Sequence, residues 1–416
     1  MENLQEVKVN PKKRYGILAA AMVMQLCAGI VYMWSVFKQP VTDHLNWDPQ
    51  MVGMTLSIML VMFVVGLVLG GYAQDKLGPR KIMLLGSVFF GVGIMSSSLV
   101  TPEMPWLLYI TYGIIAGFGA GTIYSSSVAL SQKWFIEKKG FAIGMVICAF
   151  GSSLVVFSYV VHWGLNYVGV QDTFLYFGAT LMVICLICGL FVQNPPKGYV
   201  PPGFTPTAKM LTKRQYHPTE VIKTRQYYFL MGGLLFILPA FFILSPLFLS
   251  LGAERGLTTE LAIFSVMLAG ISSAAGRLCS SSLADKVSGK YVLVGLASIV
   301  CVASFGMIFA TNMFFLVGVA AISFGFGGAI STSATTMAES FGTKFGGVND
   351  GLLMIGYGIS ALAFPVVSNM LVTRTGDFTF SFILVAASCF VAMALALMAK
   401  DPKKGEIEGP PKASAE

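Results

Sequence analysis

Long apolar runs separated by short polar stretches extend along the whole chain. Runs of about 18 residues or more are long enough for a helix to cross the hydrocarbon core of a bilayer. They predict helices at 16–37, 51–73, 82–100, 106–130, 140–167 and 173–192. A polar, proline-bearing stretch over 193–223 then interrupts the pattern, and further runs follow at 226–251, 259–283, 291–310, 313–337, 348–372 and 378–399. The pattern predicts an all-α integral membrane protein, with twelve transmembrane helices in two six-helix bundles. The expected divisions are an N-terminal tail (1–15), a first bundle (16–192), a linker (193–225), a second bundle (226–399) and a short charged C-terminal tail (400–416).

Composition agrees with this picture. With 56% of its residues hydrophobic and 11% charged, the chain lacks the charged surface of an ordinary soluble domain. Its net charge of +8 is read against topology first, because Lys and Arg near helix ends mark the cytoplasmic side. Of the 27 Lys and Arg residues, Lys38, Arg255 and Arg374 fall in loops on one side, and Arg277 lies inside a helix. All the others lie on the side that holds both termini. Both termini are therefore expected in the cytoplasm, with the chain spanning the cytoplasmic membrane. Contact with anionic lipid headgroups accounts for the basic surplus without nucleic acid. The first apolar run has no clear small-residue cleavage site and reads as a retained helix. The 7 cysteines lie within predicted helices, and His44, His162 and His217 stand apart from them, so no disulfide framework, metal site or cofactor is expected.

The two halves repeat. Gly140-Phe141-Ala142-Ile143-Gly144 aligns with Gly347-Val348-Asn349-Asp350-Gly351, and Gly121-Thr122-Ile123 aligns with Gly328-Ala329-Ile330. The turn Gly71-Tyr72-Ala73-Gln74-Asp75-Lys76-Leu77-Gly78-Pro79-Arg80-Lys81 returns as Ser281-Ser282-Leu283-Ala284-Asp285-Lys286-Val287-Ser288-Gly289-Lys290. In transporters, duplication of this kind places the substrate site at the interface between the repeats. Gly113, Gly117 and Gly121 form a ladder suited to close helix crossing at bundle interfaces. Gly325-Phe326-Gly327-Gly328 lies mid-helix and lacks the strand, lysine and hydroxyl of a phosphate loop.

Arg277 is the one full charge set well inside any of the twelve segments, in Leu268-Ala269-Gly270-Ile271-Ser272-Ser273-Ala274-Ala275-Gly276-Arg277-Leu278. Such a charge costs several kcal/mol or more unless something compensates it. No Asp or Glu lies at comparable depth in another segment, which points to a transported organic anion held by the guanidinium fork. The alternative is a guanidinium satisfied by backbone carbonyls or snorkelling towards the cytoplasm. The small neighbours Ser272, Ser273 and Gly276 favour the anion. An intramembrane enzyme would need a catalytic pair such as H-E-x-x-H, and none is present. Trp34, Trp106, Tyr227 and Tyr228 lie near helix ends and are expected as interface anchors.

The turn from Gly71 to Arg80 resembles the G-x-x-x-D-R/K-x-G-R/P-R/K loop of the major facilitator superfamily, the twelve-helix secondary transporters. Gly29-Ile30-Val31-Tyr32-Met33-Trp34-Ser35-Val36-Phe37 is similar to the G-x-x-Y-x-W-S/T-x-F/Y motif of its oxalate:formate antiporter family, which also holds lactate and pyruvate carriers related to monocarboxylate transporters. Lys133-Trp134-Phe135-Ile136-Glu137-Lys138-Lys139-Gly140 resembles that family's K/R-W-F-P-D/E-K/R-K/R-G turn, with Ile136 where proline is usual. Phe341-Gly342 and Asn349-Asp350-Gly351 resemble its F-G and N-Y-G elements, and Gly276-Arg277 followed by Asp285 matches its eighth helix.

The resemblance implies that Arg277 binds the substrate carboxylate and that Tyr32 and Tyr124 line the cavity. Ser273 and the hydroxyls around Tyr124, namely Thr122, Ser125, Ser126 and Ser127, either face that cavity or bond back to their own helices. The loop residues Asp75, Lys76, Gly78, Arg80, Asp285 and Lys286 are the gating candidates; ordinary turn chemistry is the other reading of them. Departures from the family bear on substrate. Its oxalate exchangers carry a lysine in helix eleven where this chain has Tyr357, and large aromatics where it has Phe326, Ile330 and Met354. A dianion held by one arginine leaves a charge uncompensated, whereas a monocarboxylate leaves none. The expected substrate is a small monocarboxylate of the lactate or pyruvate type, with oxalate:formate exchange as the alternative and a carboxylate sensor on the same fold as another. Asp350 is the leading candidate for proton coupling, although the substrate can itself carry the proton, and symport and anion exchange both stay open. The fold's default state is a monomer.

Overall fold

The computed structural model describes residues 11–196, 199–201 and 215–400; the N-terminal residues 1–10, the linker prolines Pro202 and Pro206, and the tail from Asp401 lie outside them. Among the described residues, 12 helices are long and apolar enough to cross a membrane. They are α1 (Lys12–Met33), α2 (Pro49–Leu77), α3 (Pro79–Leu99), α4 (Tyr109–Trp134), α5 (Ile136–Tyr167), α6 (Val170–Phe191), α7 (Arg225–Leu247), α8 (Thr259–Lys286), α9 (Gly289–Phe309), α10 (Met313–Phe341), α11 (Gly346–Thr375) and α12 (Thr379–Met398). Each predicted apolar run has its helix, and no strand occurs among the described residues.

Local chemistry sets the helix ends. Pro49 opens α2 in the first turn, where its missing N–H costs nothing, and the Asp48 carboxylate accepts the Gln50 N–H at 2.6 Å. Gly78 closes α2 with φ +88°, a conformation that strains any other residue, and Pro79 starts α3 immediately. Thr258 caps α8 by accepting the Leu261 N–H.

Four helices are irregular where the sequence predicted continuous ones. The α-helical part of α1 ends at Ala28; a 3-10 turn follows over Gly29–Met33, and a helix resumes at Trp34–Leu45. A Cβ added at Gly29 would overlap the Phe150 carbonyl, so α1 crosses α5 backbone against backbone. The start of α4 is a π-helical stretch, Tyr109–Ala116. In α7 the helix is interrupted just before Pro239, between Arg225–Ile237 and Pro239–Leu244. The α11 ladder breaks at Met354, between Gly346–Leu353 and Ile355–Thr375. Discontinuous helices of this kind recur at transporter binding sites.

The chain separates into two compact units, Met1–Tyr216 with Phe341–Leu352, and His217–Ser340 with Leu353–Glu416. The start of α11 thus belongs to the first unit, although sequence order places it in the second half. The duplication is visible inside each unit. In the first, a Cβ at Gly66 of α2 would overlap the Phe118 carbonyl of α4, and one at Gly121 of α4 would overlap the Phe63 carbonyl of α2. In the second, Gly276 of α8 meets the Phe324 carbonyl of α10, and Gly327 of α10 meets the Ser273 carbonyl of α8, in the same way. The glycine ladder of α4 is a packing device, with Gly113, Gly117 and Gly121 against Ile58, Met59 and Phe63 of α2. Trp34, expected at an interface, is instead buried at 2% exposure and packs on Tyr112 at 4.9 Å. Tyr227 is buried too, while Trp106 and Tyr228 are exposed as expected.

Candidate substrate-binding site

Arg277 follows Gly276, so the α8–α10 crossing that needs a glycine also fixes the guanidinium-bearing residue. In the register of the repeat its counterpart after Gly66 is Leu67, which makes the charge a feature of the second unit alone. Its backbone is pinned as well: the Ser331 hydroxyl of α10 donates to the Arg277 carbonyl at 2.8 Å, and Ser281 donates to it at 2.5 Å. Arg277 is only 1% exposed, and its guanidinium lies 6.0 Å from the centroid of the Phe326 ring, within cation–π range.

Phe326 belongs to an aromatic group. Phe241 stacks on it at 3.9 Å and 17°, and Phe242 meets it edge-on at 5.5 Å and meets Tyr357 edge-on at 5.1 Å. Tyr357 and Phe326 are 6.4 Å apart. The structure therefore brings together Arg277, Phe326 and Tyr357 and adds Phe241 and Phe242 from α7, which sequence reasoning missed. The only sequence signal for that pair was Pro239, two residues before it. Ser273, Ile330 and Met354 are buried in the same unit. Ser273 lines the α8–α10 crossing, and Met354 occupies the break in α11.

The crossing gives a direct test of how Arg277 is held. Gly327→Val would drive a branched side chain into the Ser273 backbone carbonyl, and neither helix can yield there without moving α8. Overpacking of this kind costs about 1–3 kcal/mol. The expected result is a lower thermal midpoint together with loss of substrate binding. An unchanged midpoint and affinity would show that the crossing does not position Arg277.

In the first unit Tyr124 is buried and Tyr32 half-buried, around a shared aromatic core. Phe150 lies edge-on to Tyr32 at 5.4 Å and to Tyr124 at 5.2 Å, and Phe63 lies edge-on to Tyr124 at 5.5 Å. Most hydroxyls beside Tyr124 follow the back-bonding alternative. Thr122 donates to the Phe118 carbonyl, Ser125 to that of Thr122 and Ser127 to that of Ile123. Ser126 is buried and makes no hydrogen bond among the described residues.

The gating candidates divide. The Asp75 carboxylate, at the end of α2, pairs with Lys133 of α4 at 3.3 Å, receives the Gln74 amide and accepts the Val348 N–H at the start of α11 at 3.3 Å. Its side chain is 4% exposed. Lys133 was legible only as part of a neighbouring motif. Lys76 turns away onto the Tyr72 ring at 4.2 Å, and Arg80 donates to the Leu190 carbonyl. Gly78 supplies the left-handed turn. Asp285 is half-buried and Lys286 exposed at the end of α8. Asp350 lies in the first unit at 1% exposure, and neither carboxylate oxygen accepts a hydrogen bond among the described residues; the adjacent Asn349 amide is in the same condition.

The profile of the Major Facilitator Superfamily matches residues 17–350. The chain belongs to this superfamily, and is therefore a multi-pass membrane transporter rather than an enzyme. The oxalate:formate antiporter of Oxalobacter formigenes is 25% identical over 91% of this chain and 90% of its own length. Monocarboxylate transporter 13 of Rattus norvegicus is 23% identical over 89% of this chain and 85% of its own length. These relatives agree with the oxalate:formate antiporter branch. Among solved structures, the proton:xylose symporter XylE matches with TM-score 0.74 at 14% identity, covering 96% of this chain and 98% of that one, a likeness of fold.

Proposed function

We propose that the protein is a secondary active transporter of a small organic anion, of the lactate or pyruvate type, working by alternating access. The observation that carries this reading is Arg277, a full positive charge buried in a membrane helix against an aromatic ring. A fixed cation in a low-dielectric site favours anionic cargo and excludes cationic cargo. A guanidinium binds a carboxylate through two parallel hydrogen bonds. Relatives named for oxalate:formate exchange and for monocarboxylate transport support the anion class.

The choice of a monocarboxylate over oxalate rests on charge. The residue standing where the family's oxalate exchangers carry lysine is Tyr357, buried among Phe242 and Phe326. A second carboxylate in such surroundings meets ring faces and edges rather than a cation. Asp75, with Lys133 and the Val348 N–H, is the proposed latch on the cytoplasmic side. Asp350 is the candidate for proton coupling in a symport version, supported by a buried carboxyl that accepts no hydrogen bond among the described residues; an exchange version does not require it.

A ligand present at about 100 times its Kd stabilises the state that binds it by about 2.7 kcal/mol. Lactate and pyruvate are accordingly expected to raise the thermal midpoint of the purified protein by a few degrees, and oxalate to leave it unchanged. Stabilisation by oxalate alone would transfer the protein to dicarboxylate exchange. Stabilisation by none of these anions would count against a carboxylate site.

A further inference from the structure

We propose that Phe241 and Phe242, carried on α7 just beyond its break, determine which organic tails the Arg277 site accepts. This inference rests on the reading of Arg277 as the carboxylate-binding residue. Proline at 239 has no N–H to bond four residues back, so the helical ladder of Arg225–Ile237 stops and restarts as Pro239–Leu244. Both phenylalanines lie in the first turn of the restarted piece, where their N–H groups return to the Leu238 carbonyl. The break thereby aims two consecutive aromatic side chains at one partner.

That partner is Phe326, whose ring lies within cation–π range of the guanidinium. Phe241 stacks on it and Phe242 meets it edge-on, while Phe242 also reaches Tyr357. Phe326 and Tyr357 are buried at 1% and 3% exposure, whereas Phe241 and Phe242 each keep part of their surface exposed. Phe326 is therefore the enclosed ring of the group, and the α7 pair is its outer, more accessible cover. With the carboxylate on the guanidinium 6.0 Å from the Phe326 centroid, the carbons that follow it are confined by this aromatic layer.

The chemistry of the layer defines the class of ligand. The rings of Phe241, Phe242 and Phe326 offer no donor or acceptor to an ionised or strongly polar tail, and they reward short apolar tails by burial. Each added methylene that fits is worth about fourfold in affinity, and a tail that cannot fit is refused by the close-packed rings. The predicted substrates are monocarboxylates with short, compact tails, and the Phe241–Phe326 stack sets the length limit. Removing the Phe241 ring opens the space of a benzyl group beside Phe326 and moves the limit outward.

The test is exchange of labelled lactate in proteoliposomes, inhibited by unbranched 2-oxo acids of three to six carbons, with wild type, Phe241→Ala, Phe241→Leu and Phe242→Ala compared. In wild type, inhibition should weaken as the chain lengthens. In Phe241→Ala the six-carbon acid should gain at least tenfold relative to pyruvate, with a smaller shift in the same direction for Phe241→Leu. Should Phe241→Ala fail to assemble, the leucine variant carries the comparison. A length profile within threefold of wild type in every variant that exchanges lactate would overturn the proposal while leaving the carboxylate reading intact. Absence of inhibition by any monocarboxylate in wild type would overturn both.

Discussion

Arg277→Ala is expected to abolish monocarboxylate transport, with uptake reduced at least a hundredfold, while the protein still inserts and purifies. A charge-assisted hydrogen bond contributes about 1.5–3 kcal/mol, and a bidentate pair supplies two of them. Losing the fork therefore costs roughly 3–6 kcal/mol of substrate binding, far beyond what neighbouring apolar contacts restore. Arg277→Lys separates charge from geometry. Lysine keeps the cation but offers a point charge on a flexible stem instead of a planar fork, so binding should weaken roughly tenfold or more without vanishing. Equilibrium binding of pyruvate to the detergent-solubilised variants checks both. Wild-type affinity in Arg277→Ala would remove Arg277 from the site.

The second large effect is expected at Asp75. Its carboxylate holds Lys133 and the Val348 N–H at once, with only 4% of the side chain exposed. Truncating one member of a largely buried pair leaves the other charge poorly compensated. For this partly exposed arrangement, in which Lys133 keeps 18% exposure, about 1–3 kcal/mol is a reasonable scale. That corresponds to roughly a 5- to 150-fold shift between access states if the contact forms in one of them alone. Asp75→Asn should therefore slow initial uptake at least fivefold while changing pyruvate affinity less than twofold. Lys133→Gln should produce a similar defect, and the double variant should be no worse than either single one. Wild-type rates in Asp75→Asn would support the plainer reading, in which this residue merely punctuates a turn.

Much of the fold was legible because a bilayer imposes a simple length rule, and all twelve apolar runs obeyed it. The duplication was legible too, but its register in α10 was one residue off: the sequence aligns Gly121 with Gly328, whereas the glycine that meets the α8 backbone as Gly121 meets Phe63 is Gly327, against Ser273. Arg277 stood out because charge inside an apolar segment is costly. What pattern could not reveal was where helices break and what meets across them. Hydropathy is nearly indifferent to a 3-10 turn at Gly29–Met33 or an interruption at Met354, because the side chains there stay apolar.

Partners brought together by tertiary packing were equally hidden. Phe241 and Phe242 were two apolar residues among many until the Pro239 break directed them at Phe326. Lys133 and Asp75 belonged to separate motifs, with nothing in their spacing to join them. Trp34 departs from expectation for a related reason: proximity to a helix end suggests an interface, but the chain continues helically through Trp34–Leu45 and carries the indole into the packed interior against Tyr112.

Selection of small monocarboxylates by a single buried arginine is open to one decisive measurement, uptake of labelled lactate into proteoliposomes with unlabelled pyruvate, formate and oxalate as competitors. Such selection requires saturable lactate uptake that pyruvate suppresses strongly, formate weakly and oxalate not at all. Uptake suppressed by oxalate as effectively as by pyruvate would contradict it.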